Sequence, residues 1–403
     1  MSRVSGKISG RFFSGIGLNI IILGIVSLCT DLSSQMVFPL IPLYLTSVLA
    51  AGAFVVGLVE GAAETTASFL KVISGYFSDR IRRRKPFVLL GYGLSSFVKP
   101  LFAFAAVWPA VLSLRVIERI GKGLRTAPRD AIVAESSDVK VRGKAFGFNR
   151  AMDGIGSMGG AILAVILLPI YGFQNVFLIA FIPGIIAVLV IFFIREDDRK
   201  QESPSEKKEK SSLTVSLRML SGNLRLFILA SAIFALGHYG YAFLLLKAQS
   251  TGATDDTALL FYVLFYGVYT LCTIPAGIVS DRIGRKPLIV TGYALFIILS
   301  AGLVFVTGYL ILPLFFALYG IFFAFVDGAQ RAFVVDLSPP AIKATALGTF
   351  HTAIGLVALP GGFIAGMLWD VYSPAATFVF GTALAILSLV LMVYVKNNSI
   401  STP

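Results

Sequence analysis

The chain has 403 residues, 57% of them hydrophobic and 14% charged, with a formal net charge of +13 and a mean hydropathy of +0.86. A soluble domain carries about a quarter of its residues as Asp, Glu, Lys and Arg, so this composition excludes one. Apolar runs of about twenty residues, each enough to cross a ~30 Å hydrocarbon core, recur instead; they do not alternate as barrel strands would, and the expected class is an all-α membrane protein.

Twelve transmembrane helices are predicted, near 16–46, 52–78, 87–107, 110–134, 145–169 and 173–194, then 226–249, 257–280, 287–308, 310–335, 344–368 and 374–395. Between the sixth and seventh lies REDDRKQESPSEKKEK, charged and aromatic-free, which reads as a flexible linker. A short interfacial helix over Leu213–Leu220 follows it. The organisation is thus an N-terminal bundle over 1–194, a linker over 195–225 and a C-terminal bundle over 226–403.

The positive charge is placed, not spread. Lys and Arg gather in the N-terminal tail, at Arg80–Lys85, Lys140–Lys144, Arg195–Lys210 and Arg282–Lys286, whereas 47–53, 107–110, 171–175 and 307–312 contain none. Such asymmetry is the positive-inside pattern. It predicts a multi-pass protein of the inner (cytoplasmic) membrane with both termini cytoplasmic, and it accounts for the net charge without nucleic acid. Cys29 and Cys272 lie in apolar runs with no paired spacing, so no disulfide framework or zinc site is implied. The first apolar run is too long for a signal-peptide core.

Ionisable residues inside a membrane cost about 2.5–3.5 kcal/mol each on insertion scales and need partners or water. The first span places Asp31, Ser34 and Gln35 on one face, and the second carries Glu60, Glu64 and Lys71 close together. The fourth span contains LRVIERIGKGLRTAPRDA, Leu114–Ala131. At helical spacing Arg115, Glu118, Arg119, Lys122, Arg125, Thr126 and Arg129 form one stripe about 120° wide. It is not a phosphate loop, because Gly123 follows Lys122 and no strand precedes it. The stripe must face a water-filled cavity or the acids of neighbouring helices. Arg150 and Asp153 add charges in the fifth span, giving bases a small excess over acids.

Two readings stay open: a polar network that binds the N-terminal half together and carries protons, or a positive stripe that receives an anionic group of a solute. Asp31, Glu60, Glu64, Glu118 and Asp153 are the proton-coupling candidates. Gln35, Arg115, Arg119, Lys122 and Arg150 are cavity candidates. The C-terminal half adds His238, Asp327 and His351, with Tyr262, Tyr266 and Tyr269 on one stripe of the eighth span.

The two halves also repeat. GYFSDRI ends the second span and GIVSDRI the eighth, so Asp281 follows Asp79 by 202 positions; Gly348 follows Gly147, and Asp336 follows Glu135, by 201. Repeated six-helix halves mark a transporter whose halves rock about a midplane site.

With these motifs the sequence resembles the major facilitator superfamily over essentially its whole length. The family's loop motif appears as GYFSDRIRRRKP (Gly75–Pro86), where Arg82 replaces the usual Gly, and as GIVSDRIGRKP (Gly277–Pro287). The fourth-span motif is matched by Arg115 with Gly121 and Gly123, although Arg119 stands where the family usually has Gly. TDLSSQMVFPLIPLYL (Thr30–Leu45) looks like the first span of bacterial drug-efflux members. The fifth-span antiporter motif keeps its glycines over Asp153–Gly160 but lacks its Pro, which occurs in the eleventh span at Pro360.

The resemblance implies a secondary transporter, not an enzyme, working by alternating access as a proton-coupled exporter of a small organic solute. Uptake or facilitative transport of an organic anion, or lipid flipping or sensing on the same scaffold, are the alternatives. Membrane lipid, protons and solute are the expected partners of a monomer, with no cofactor, metal or nucleic acid. Gly75, Asp79, Arg80, Arg83 and Arg84, with Gly277, Asp281, Arg282, Arg285 and Lys286, are expected to gate the cytoplasmic side together with Asp130, Glu135 and Asp336. An Asp at a helix end favours the positive N-terminus of a neighbour. Asp79→Asn is therefore expected to change both the transport rate and the balance of inward- and outward-facing forms; an unchanged balance by site-directed labelling would contradict the gate.

Overall fold

The computed structural model describes residues 17–81, 83–137, 142–194, 220–339 and 342–396; of the expected linker over 195–225 and its interfacial helix over 213–220, residues 195–219 lie outside them, while Gly222 to Arg225 already belong to the next helix. The N-terminal part contains α1 (Leu18–Val37), α2 (Ala53–Ile81), α3 (Lys85–Val98), α4 (Trp108–Glu135), α5 (Arg142–Ile179) and α6 (Phe181–Ile191). The C-terminal part contains α7 (Gly222–Gly237), α8 (Gly240–Ser250), α9 (Asp255–Ile283), α10 (Arg285–Phe305), α11 (Leu312–Asp336), α12 (Lys343–Val371) and α13 (Pro374–Tyr394). No strand occurs among the described residues.

Among the described residues, ten helical segments are long and apolar enough to span a membrane. Two features separate that number from the expected twelve. The expected fifth and sixth spans run together in one 48-residue apolar stretch, Lys144–Ile191, but the chain turns between them at Gly172, whose φ of 70° only glycine adopts at no steric cost. The expected fourth span, α4, has 28 residues, ample for a crossing at ~1.5 Å each, but its charges exclude it on apolarity. The seventh span is two helices, α7 and α8, divided at His238 and Tyr239 with Gly240 at φ 70°.

Within the N-terminal part α1 packs on α5 and α6, and α4 lies between α2 and α3. The close approach of α4 to α3 depends on small residues: a Cβ at Gly121 would stand 2.6 Å from the Gly91 carbonyl oxygen. The C-terminal part repeats the pattern, with α9 and α10 flanking α11, and α13 against α7 and α10.

Two helix pairs make the largest contacts between the parts, α2 with α12 and α5 with α9, and α8 also packs on α2. Between lipid-like surfaces there is little hydrophobic drive, so small residues and backbone proximity carry the packing. Along the first seam Gly57 faces Gly362, Gly61 faces Ala358 and Leu359, and Ser68 faces Gly355. Thr65 Oγ1 donates to the Gly355 carbonyl at 2.5 Å and accepts the Leu359 N–H at 3.2 Å.

Farther toward the basic loops the seam ends. Gly75 has only Ala127 of its own half within reach, and a Cβ at Gly147, Gly277 or Gly348 would meet nothing within 4 Å. Among the described residues, the close glycine contacts between α2 and α12 thus lie away from the basic loops. Gly61→Val would drive a branched side chain into the α12 backbone, and we expect a lowered melting temperature with the outer seam opened. An unchanged melt and unchanged cross-linking of α2 to α12 would contradict this packing.

Candidate transport site

α4 carries its charged stripe into the protein interior. Arg115 and Glu118 are 0% exposed and Arg119 is 6% exposed. Arg115 reaches Glu60 of α2 at 3.0 Å and Glu118 at 3.4 Å. Both arginines lie over one ring, with the guanidinium carbons of Arg115 and Arg119 4.0 Å and 4.7 Å from the centroid of Phe38. That ring stands where α1 breaks before Pro39, so the proline interruption places an aromatic face beneath two cations.

Arg119 is held differently from Arg115. Among the described residues its one ion pair is a 3.6 Å approach to Glu118, and its Nη1 has no hydrogen-bond partner. Glu60 Oε1 and Glu118 Oε1 are also unpartnered. Arg125, farther along, bonds Ser95 and stacks over Tyr92 at 4.3 Å, fastening α4 to α3. Lys122 and Glu64 are exposed, and Asp31 makes no ion pair among the described residues.

A second polar group lies nearer the basic end. Arg129 meets Asp130 at 2.9 Å and Asp153 at 3.5 Å, while Arg150, itself exposed, approaches Asp153 at 3.5 Å. Asp130 is therefore occupied by its neighbour on α4, not by an arginine of the loop motif.

The C-terminal part faces this charge with aromatic rings. Tyr262 donates to Gln35 Oε1 at 2.8 Å, and Gln35 Nε2 donates to the Tyr266 hydroxyl at 3.4 Å, so α1 and α9 meet across the halves. Tyr241 packs on Tyr262 with centroids 5.1 Å apart, and its buried hydroxyl has no partner among the described residues. Tyr269 approaches Asp327 at 3.5 Å, and Asp327 pairs with Arg331. His238 sits apart from them, 2.8 Å from the Tyr319 hydroxyl in a stack of rings. His351 is half-buried on α12 beside Phe350.

The basic end shows the repeat at the level of atoms. Arg84 binds Glu135 at 2.8 Å, and Lys85 donates to the carbonyls of Phe192 and Ile194 at 3.1 Å and 2.7 Å. Arg285, 201 positions later, pairs with Asp281 and approaches Asp336 at 3.6 Å; Lys286 donates to Val393 and Val395 at 3.2 Å and 2.6 Å. The offset changes from 202 to 201 inside the loop, where Gly284 takes φ 95°. All these contacts stay within one half. Arg80, Arg83 and Arg282 are exposed, and the Asp79 side chain lies outside the described residues.

Sequence reasoning missed four participants. Phe38 and Tyr241 look like ordinary core residues. Lys99, fully buried and 2.9 Å from Ser33 Oγ, was visible only as a lone cation in an apolar run. Asp370, at the far end of α12, is an equally isolated acid.

The model of the Major Facilitator Superfamily matches residues 23–251 and 227–401. An uncharacterized MFS-type transporter of Methanocaldococcus jannaschii is 40% identical over 385 residues, covering 94% of each chain. A probable 4-methylmuconolactone transporter of Cupriavidus pinatubonensis is 27% identical over 72% of this chain and 70% of its own. The cis,cis-muconate transport protein of Acinetobacter baylyi is 25% identical, covering 62% and 64%. Among solved structures, a point mutant of the nucleoside transporter NupG has a TM-score of 0.77 at 17% identity, over 93% of this chain and 99% of that one. The D-xylose-proton symporter has a TM-score of 0.76 at 18% identity, over 93% and 96%. Matched over nearly its whole length, this multi-pass membrane protein belongs to the major facilitator superfamily and is a secondary transporter, not an enzyme.

Proposed function

We propose that this transporter carries a small organic anion or zwitterion by alternating access, in exchange for protons. Its twelve crossings form two six-helix bundles that rock about the α2–α12 and α5–α9 seams, in the inner membrane, with the basic loops and both termini cytoplasmic. In that orientation the conformation described above faces inward. The protein acts as a monomer in contact with lipid.

The observation that carries the solute class is the contrast between two arginines on one helix. Arg115 is bound by Glu60 and Glu118 and serves the scaffold. Arg119, one turn on, is buried against Phe38 with an unused Nη1. A guanidinium left with open donors in a low-dielectric site is suited to a carboxylate, which it binds through two parallel hydrogen bonds. Tyr241, Tyr262, Tyr266 and Tyr269 line the opposing half and suit an unsaturated or aromatic body beside that charge. The relatives named for muconate and 4-methylmuconolactone support the same class of solute.

Coupling to protons requires a carboxylate that changes partners between the two conformations. Asp31, Glu60, Glu64, Glu118 and Asp153 are the candidates. Glu60 belongs to α2, on the moving seam, and binds Arg115 of α4, so it stands where helix motion and charge pairing meet. The paired Arg and acidic residues at the basic end gate the cytoplasmic side.

Flux of muconate-like organic anions in sealed proteoliposomes, with and without an imposed pH gradient, tests this reading. Arg119→Gln is expected to lower that flux at least about tenfold while lowering the melting temperature less than removal of Glu60 or Glu118 does, since Glu118 keeps Arg115. Glu60→Gln and Glu118→Gln are expected to destabilise the protein, since removing one partner of a buried ion pair costs about 3–5 kcal/mol. Normal anion flux by Arg119→Gln would overturn the assignment of the solute site.

A further inference from the structure

α2 begins at Ala53, directly after Gly52, and neither Ala51 nor Gly52 offers a side-chain acceptor to its first turn. Every helix start leaves about four N–H groups without an intrahelical partner, and an uncapped start is a weakness in a protein with little water around it. Here the acceptor comes from the other half of the molecule. Asp370, in the last turn of α12, takes the Ala53 N–H on Oδ1 at 2.9 Å and the Phe54 N–H on Oδ2 at 2.8 Å. One carboxylate thus binds two backbone amides across the seam, at the positive end of the α2 dipole.

The counterpart helix has no such need. α9 occupies the place of α2 in the second repeat, yet its own Thr254 accepts the Thr257 N–H at 3.3 Å, and Asp255 and Asp256 stand in its first turn. Its end meets the first half through side chains instead. Gln249 donates to Ser47 Oγ at 3.0 Å and to Asp255 Oδ1 at 2.7 Å, Ser47 donates to Asp255 at 3.0 Å, and Thr46 donates to Gln249 Oε1 at 2.9 Å. The Phe54 and Phe363 rings, edge-on with centroids 4.9 Å apart, seal the seam beside Asp370.

We infer that Asp370 is the latch of the face opposite the basic loops, holding that face shut by serving as the N-cap of a helix in the opposite half. Ser47, Gln249 and Asp255 form its second point. The inference rests on the rocking motion proposed above. When α2 and α12 part at this end, the first turn of α2 loses its side-chain acceptor, whereas the cap of α9 travels with α9. The cost of opening is therefore built into the α2 start, and losing an N-cap acceptor shifts such an equilibrium by about fivefold.

The test uses the full chain with Cys29 and Cys272 replaced by Ser, spin-labelled at Val107→Cys and Leu310→Cys, exposed positions in basic-free connections of the two halves. Dipolar distance measurements in nanodiscs report the opening of this face. Asp370→Ala is expected to raise the population of the long distance about fivefold, and Asp370→Asn, which keeps one acceptor oxygen, to raise it less. An unchanged distribution in Asp370→Ala overturns the latch.

A second variant separates latching from simple helix stabilisation. Adding Gly52→Ser to Asp370→Ala gives α2 a cap of its own. The expected result is a recovered melting temperature with the long distance still enriched; recovery of the short distance as well would overturn the latch. A single unmoving distance in the otherwise unmutated protein, at this label pair and at a pair on the basic end, would refute the rocking motion itself and the latch with it.

Discussion

The arrangement of the N-terminal half depends on one buried ion pair, Arg115 with Glu60. A guanidinium with no exposed surface in a membrane-spanning helix is tolerable only with carboxylates and donors in fixed places, because the desolvation of each ion runs to several kcal/mol. Arg115 meets that demand by engaging two acids and an aromatic face at once. The consequence is geometric. α4 cannot rotate its stripe toward lipid, and it cannot slide along α2 without stranding a charge. Arg125 on Ser95 and Tyr92 fixes the same helix to α3. Three neighbours therefore hold α4 in register, and Arg119 inherits its position from theirs.

The two repeats divide the labour of a transporter unequally. At the basic end they correspond in kind, arginine to acid and lysine to a pair of carbonyls near a helix end, although Arg285 favours Asp281 where Arg84 binds Glu135. Lys85 and Lys286 each satisfy carbonyl groups that a helix C-terminus leaves open, which explains why a cation serves both places. Toward the middle of the membrane the likeness ends. The first half supplies charge and the second supplies tyrosines and phenylalanines, so any solute held between them meets a polar wall and an aromatic one. Such an interior orients an amphipathic molecule without needing many hydrogen bonds.

How far these features could be read in advance follows from their physics. Apolar runs, the placement of Lys and Arg, and the Gly-x-x-x-Asp repeat are local patterns, and they announced the helical class and pointed to Glu135 as an acid beside the loop arginines. The stripe from Arg115 to Arg129 was legible as a single inward face because helical spacing needs no tertiary information. Partner choice was not legible. Nothing in the spacing assigns Glu60 to Arg115 while leaving Glu64 exposed, since both lie on one face of α2. Phe38 gained its role from a proline break and Asp370 from a helix start more than 300 residues away. The turn at Gly172 was legible, because it falls in the basic-free connection between the expected fifth and sixth spans.

The two ends of the seam differ in what an opening motion must break. At the basic end Arg84 with Glu135 and Arg285 with Asp336 each lie within one half. Parting the halves there would leave those pairs whole. At the other end the hydrogen bonds of Gln249 with Ser47 and of Thr65 with Gly355 cross the seam, and they are lost when the halves separate. Each such bond is worth only about 0.5–1.5 kcal/mol net, and the glycine faces between α2 and α12 add dispersion without any hydrophobic drive. That scale is suited to rocking: strong enough to make one face the resting closure, and weak enough for a bound solute or a moved proton to reverse it, because a few kcal/mol of differential affinity suffices to shift a two-state equilibrium from one side to the other.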